Sequence, residues 1–247
     1  MIKYILLGIV QGITEFLPVS SSGHLVILQR ILGITHDQLA ISVVLHLGTG
    51  FALVIFFFRD LGRILRDLRL LWLLSVTTVI TVIIGLLGKD FFENLFTSVA
   101  YVAFALLVTG AMLIFTRRFM AGKRNNLDFK DAAILGVTQS IAIIPGISRS
   151  GITISTLLFR GIDREKSFYF AFLAAIPVIF GAAIFELRKV GFALRAAPRD
   201  LAIGFLASFF TGLLSLWILK SVMRRAKLHY FGYYCIVAGI ITFLFIK

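Results

Sequence analysis

Long apolar stretches alternate along the chain with short polar segments rich in Lys and Arg. Six of these stretches, residues 39–58, 70–87, 98–115, 167–185, 201–219 and 232–246, approach the ~20 residues that a helix needs to cross a hydrocarbon core. They predict an all-α integral membrane protein with six transmembrane helices. Two other apolar stretches are too interrupted to cross. Residues 4–32 are broken by Gln11, Glu15, Pro18 and the tract Ser20-Ser21-Ser22-Gly23, and residues 132–159 by Pro145-Gly146 and Ser148-Arg149-Ser150-Gly151. Each reads as a re-entrant helical hairpin. Irregular backbone at membrane depth persists only where it is buried in protein or lines a wet cavity, so two such breaks mark a site.

The breaks also copy one another. Leu7-Gly8-Ile9-Val10-Gln11 aligns with Leu135-Gly136-Val137-Thr138-Gln139, and Ser20-Ser21-Ser22-Gly23 with Ser148-Arg149-Ser150-Gly151, both at an offset of 128 residues. Two matches at one offset, near half of a 247-residue chain, predict one membrane domain built by duplication, with repeats of about 1–115 and 116–247. Three crossings between the hairpins would turn the second copy over. The result is an inverted-topology repeat whose broken segments converge near the midplane. On one face, the loops 59–69, 116–131, 160–166 and 220–230 carry 16 Lys and Arg, against 8 on the other. The richer face is expected to be cytoplasmic, so the first hairpin enters from the periplasmic or external side.

Composition removes the competing classes. With 59% apolar residues and a mean hydropathy of +0.98, the chain is too apolar for a soluble domain. A net charge of +13 would suggest nucleic acid in a soluble protein. Here the basic residues lie in short loops, where they orient helices and meet anionic headgroups, and nucleic acid is not expected as a partner. The lone Cys235 allows no disulfide within the chain, and the first residues run into Gln11, Glu15 and Pro18 without a signal-peptide cleavage pattern.

The polar residues inside the hairpins are the candidates for chemistry. A carboxylate within an apolar stretch is costly unless it is paired, which makes Glu15 a functional candidate. Arg149 is its basic counterpart. The turn from Pro145 to Thr153 offers free N–H groups at a helix start, the hydroxyls of Ser148, Ser150 and Thr153, and a guanidinium able to fork onto two oxygens. That combination is an anion seat. In the first hairpin, Ser20, Ser21 and Ser22 stand beside His24, a residue suited to acid or base work near neutral pH. Gln11 and Gln139 hold matching positions and can orient their neighbours. His46, alone in the first spanning stretch, reads as a packing or supporting residue. No Cys/His cluster or Walker loop is present, though a divalent ion could sit between Glu15 and the phosphates of a substrate.

The stretches from Gln11 to His24 and from Pro145 to Thr153 resemble the two signature motifs of the undecaprenyl pyrophosphate phosphatase family, the bacitracin-resistance proteins. The resemblance extends over essentially the whole chain, including Gly48-Thr49 and Phe172 to Pro177. It implies a membrane hydrolase that takes the terminal phosphate from undecaprenyl pyrophosphate, with Mg²⁺ or Ca²⁺, for carrier recycling in cell-wall synthesis. It also implies roles for Glu15, Ser21, His24, Ser148, Arg149 and Thr153. Gln11 stands where many members have a second Glu, and Tyr169 and Ala171 replace a Glu and a Ser of some relatives.

The expected catalytic group is Glu15, Ser21, His24 and Arg149, with Gln11, Ser20, Ser22, Ser148, Ser150 and Thr153 binding substrate. Attack by Ser21, His24 or water stays open at this level, as does a homodimer. Broken helices facing each other are also a transporter's architecture, so a flippase of a polyprenyl phosphate or other anionic lipid is the alternative.

Overall fold

The computed structural model of the chain describes residues 1–64, 66–88, 99–190 and 196–245. Ser98, at the start of the third expected span, and Lys89, Arg195 and Lys247, counted on the face poorer in basic residues, lie outside them. The described residues are all helical apart from turns and one isolated bridge between Arg124 and Ile162. A short hairpin opens the chain, α1 (Ile2–Phe16) and α2 (Ser21–Ile31). Next come α3 (Gln38–Phe56), the short α4 (Phe58–Ile64), α5 (Leu68–Leu87) and α6 (Val99–Phe115), which runs into a 3₁₀ turn at Thr116–Phe119. The second hairpin is α7 (Phe129–Ile141) and α8 (Arg149–Phe159), followed by α9 (Arg164–Val190), α10 (Pro198–Arg224) and α11 (His229–Phe245).

Among the described residues, five helices are long and apolar enough to cross a membrane: Gln38–Phe56, Leu68–Leu87, Ala100–Phe119, Arg164–Arg188 and Pro198–Arg224. Their outward faces carry exposed Trp72, Leu86, Phe210 and Trp217. Apolar surface on that scale suits lipid and not water. The sixth expected stretch forms α11, which at 17 residues is about 25 Å long and short of a full hydrocarbon core. Residues 246 and 247 lie outside the description. The hairpin limbs, of 15, 11, 13 and 11 residues, are shorter still.

The breaks are made by local chemistry. Past Phe16, Leu17 turns extended ahead of Pro18, and Ser20 takes a positive φ of 69° to start α2. In the second hairpin the turn passes through Pro145 and Gly146, whose φ of 97° favours glycine. The Ser148 side chain then caps α8 by accepting from Gly151 N at 3.1 Å.

Helix packing is reciprocal between the halves. α1 lies along α10, and α7 lies along α5, so the first limb of each hairpin packs on a long helix of the other half. Small residues permit this closeness: Gly8 and Gly12 face Gly204, Ser208 and Gly212, and a Cβ on Gly12 would stand 2.6 Å from Ser208 O. Gly136 meets Thr77 and Ile80 in the corresponding way. Hydroxyls complete both contacts, Thr211 donating to Gly8 O at 3.4 Å and Thr81 to Gly136 O at 3.1 Å. α6 and α11 pack on each other, and each bonds a hairpin turn: Thr109 donates to Gly146 O at 3.0 Å and accepts from Ser148 N at 3.2 Å, and the buried Cys235 thiol donates to Pro18 O at 3.5 Å. Between α1, α3 and α9, Phe16, Phe57, Phe168 and Phe172 form an aromatic core, with Phe16 edge-on to Phe172 at 5.6 Å.

Candidate active site

Glu15 lies in the last turn of α1, two residues before the backbone straightens at Leu17, and its side chain is 4% exposed. Four side chains from four helices converge on it. Ser21, at the start of α2, donates its hydroxyl to Glu15 Oε2 at 2.6 Å. Gln11, one turn back on α1, donates to the same oxygen at 3.0 Å. His46 from α3 brings Nε2 to 3.3 Å of it. Arg149, at the start of α8, brings Nη1 to 3.4 Å of Oε1. The two hairpin tips therefore meet through one carboxylate. Burial without such partners would be prohibitive, which explains why these residues cluster where both helices are broken.

The site has one donor and one acceptor that its internal hydrogen bonds leave unused. Arg149 Nη1 is buried and makes no hydrogen bond among the described residues, and Gln11 Oε1 is likewise unpartnered. Ser148 and Ser150 place their hydroxyls 3.2 Å apart, while Ser20 and Ser22, at the matching positions, lie 3.4 Å apart. Thr153 is turned back to its own helix, donating to Arg149 O at 2.7 Å. A small pocket opens between the hairpins. Glu15, Arg149, Ser150 and Thr153 line its polar side, and Phe16, Leu53, Phe172, Ala175 and Ile179 its apolar side. Such a space suits a ligand that is anionic at one end and apolar at the other.

The expected residues do not all fall in one cluster. Gln11, Glu15, Ser21 and Arg149 come together, with Ser148, Ser150 and Thr153 beside Arg149. His24 stands apart from Glu15. Its Nδ1 lies 2.7 Å from Ser20 O and its Nε2 2.7 Å from the Tyr234 hydroxyl on α11, with the two rings stacked at 5.8 Å. The group on the Ser21 hydroxyl is therefore Glu15 and not His24. His46, read from sequence as a packing or supporting residue, is the histidine in contact with the carboxylate. Its signal was an ionisable ring within an apolar span. Nothing in the sequence pointed to Tyr234, because partner and position arise from packing of α11 on the first hairpin turn.

Comparison with known proteins fits this geometry. The model of the bacitracin resistance protein BacA family matches residues 4–241. This chain belongs to that family. An undecaprenyl-diphosphatase of Halothermothrix orenii is 42% identical over 98% of this chain and 96% of its own length. One of Carboxydothermus hydrogenoformans is 41% identical over 96% and 94%, and one of Methanosphaera stadtmanae 36% identical over 99% and 97%.

Proposed function

We propose that this protein is an undecaprenyl-diphosphatase, hydrolysing undecaprenyl pyrophosphate to undecaprenyl phosphate and inorganic phosphate in a multi-pass membrane setting. The product is the lipid carrier reused in cell-wall synthesis, and the activity confers bacitracin resistance. The observation that carries the reading is the pairing of a Ser21–Glu15 hydrogen bond from one hairpin with Arg149 of the other, whose buried Nη1 ion-pairs with Glu15 but makes no hydrogen bond, at the polar end of a pocket with an apolar far side.

Chemically, the terminal phosphate sits against Arg149, Ser148, Ser150 and the N–H groups that open α8, with Thr153 beside them. Ser20 and Ser22 face it from the first hairpin, and the apolar wall takes the start of the polyprenyl tail. These donors neutralise charge that spreads over the phosphoryl oxygens in the transition state. Ser21 Oγ attacks the terminal phosphorus and gives its proton to Glu15 Oε2. The bond from that phosphorus to the bridging oxygen breaks, and undecaprenyl phosphate leaves. Glu15 passes this proton to the departing undecaprenyl phosphate. Water then cleaves the Ser21–phosphorus bond, giving one proton to Glu15, which returns it to Ser21 Oγ as inorganic phosphate forms. His24, held by Ser20 and Tyr234, orders the start of α2 and lies within a turn of Ser21, near enough to share in proton movement after a small rearrangement.

For a divalent cation, Mg²⁺ or Ca²⁺, the fit is partial. Glu15 supplies one carboxylate and Gln11 Oε1 one neutral oxygen with no other partner, and no group of three metal-ligating side chains occurs among the described residues. Substrate phosphates and water would complete the shell, as Mg²⁺ prefers, and the ion would offset phosphate charge.

The reading extends to topology. Six crossings and two re-entrant hairpins, in inverted repeats of about 1–115 and 116–247, are supported by the reciprocal packing of α1 on α10 and α7 on α5. The distribution of Lys and Arg supports a bacterial cytoplasmic membrane location with the site opening to the external side. Purified protein in detergent should release inorganic phosphate from a polyprenyl pyrophosphate, because detergent offers no second compartment for transport. Ser21→Ala should lower that rate by about a thousandfold or more. Near-full turnover by this variant would overturn the serine mechanism. Lipid movement in proteoliposomes without hydrolysis in detergent would favour the flippase.

A further inference from the structure

We infer that His46 is a positioning residue that holds the Glu15 carboxylate in register with the Ser21 hydroxyl, an inference that rests on the phosphatase reading above.

An imidazole in the middle of an apolar span is costly unless its nitrogens are used, and both are. Nδ1 lies 2.8 Å from the carbonyl oxygen of Ser42, one turn earlier on α3, and Nε2 lies 3.3 Å from Glu15 Oε2. Each nitrogen faces an acceptor, and the ring donates to Glu15 when Nε2 carries its proton. The ring's own support is fixed in turn. Ser42 donates to Gln38 O at 2.9 Å and accepts from Gln29 of the first hairpin at 3.2 Å. One turn further along α3, Thr49 donates to His46 O at 2.9 Å and receives Gln11 Nε2 at 3.5 Å. α3 thus presents His46 and Thr49 as a pair to Glu15 and Gln11 of α1.

The division of partners on Glu15 gives His46 its task. Arg149 addresses Oε1 alone, whereas Ser21, Gln11 and His46 all address Oε2. A diphosphate in the cavity is a stronger partner for Arg149 than one shared carboxylate oxygen. Once Arg149 turns to the phosphate, His46 is the one ionisable donor still on Glu15. It keeps Oε2 aimed at Ser21 Oγ while the opposite side of the carboxylate loses its cation. His46 does not line the cavity, so it acts through Glu15 and not on substrate.

The test is phosphate release from a polyprenyl pyrophosphate by the purified full-length protein in detergent. His46→Leu, close in volume but unable to donate, should lower kcat by about ten- to a hundredfold with KM within about twofold, because misaimed reacting groups cost turnover more than binding. His46→Gln, whose amide N–H can take the place of Nε2–H, should recover kcat to within about threefold of wild type. His46→Asn is polar but too short to reach Oε2, and should show the deficit of Leu, which keeps the comparison if the apolar variant does not fold. Full turnover by Leu or Asn, or Gln no better than Asn, overturns the positioning role. Absence of phosphate release by the wild type would instead overturn the phosphatase reading itself.

Discussion

The two hairpins share a plan and differ in how they are anchored and in what they carry. At the open end of the second, Asp131 is fully buried and takes Arg124 on one oxygen and Arg160 Nε at 2.8 Å on the other. Asp128 and Asp131 also form a reciprocal cap at the start of α7. The backbone of Arg124 pairs with Gly161 O at 3.1 Å and with Asp163 N at 2.9 Å, strapping the incoming loop to the outgoing one. The open end of the first hairpin has lighter ties. Lys3 donates to Leu32 O at 2.6 Å in the open, and Gln29 reaches Gln38 O and Ser42. Even the turns differ, one held by a threonine hydroxyl and the other by a thiol, a weak donor.

Their cargo differs at the same matched positions. Glu15, Ser21 and His24 correspond to Ile143, Arg149 and Ile152 at the offset of 128. The hairpin with the ion-pair clasp carries the guanidinium proposed above as the seat for phosphate. The lightly tied one carries the carboxylate and hydroxyl that share a hydrogen bond and are proposed to exchange a proton. The difference suggests that rigidity was placed where electrostatic preorganisation matters most.

Exchange of function is the sharpest way to break this contrast. Glu15→Gln, which keeps shape but cannot take a proton, should cut kcat by about a thousandfold while KM changes by less than about tenfold. Arg149→Ala should instead raise KM and lower kcat together, and Arg149→Lys should recover little, because an ammonium cannot fork onto two oxygens. Steady-state kinetics on a polyprenyl pyrophosphate separates the two, and identical profiles would refute the division of labour. Next in size is Asp131→Ala. It strands two guanidinium groups on a partly open clasp and should cost about 3 kcal/mol of stability, seen as a lower thermal midpoint in detergent. Smallest is Lys3→Ala, which removes one exposed hydrogen bond at the other base and should cost under about 1 kcal/mol by the same measurement. Equal losses from these last two would show that the hairpins are anchored alike.

Much of this was legible in the sequence. The apolar stretches located five long helices, and Pro18, Pro145 and the Ser/Gly tracts located both breaks. Glu15 and Arg149 stood out because ionisable groups in apolar stretches are expensive. The sixth stretch was read as residues 232–246, whereas α11 already starts at His229, and at 17 described residues it stays short of a full hydrocarbon core. The histidines were harder. His24 is three residues from Ser21, and sequence proximity suggested partnership, yet its ring folds back on Ser20 O and out to Tyr234. His46 is 31 positions from Glu15 and reaches it only because α3 packs on α1.

The sequence by itself determined a helical membrane protein with two matched, broken polar segments, because hydrophobic period, helix-breaking residues and misplaced charges are local properties of the chain. Tertiary structure alone decided which donor meets which acceptor. A hydrogen bond is settled within a few tenths of an ångström by how α1, α3, α8 and α11 lie against one another, and that depends on small-residue contacts such as Gly12 on Ser208, far apart in the chain.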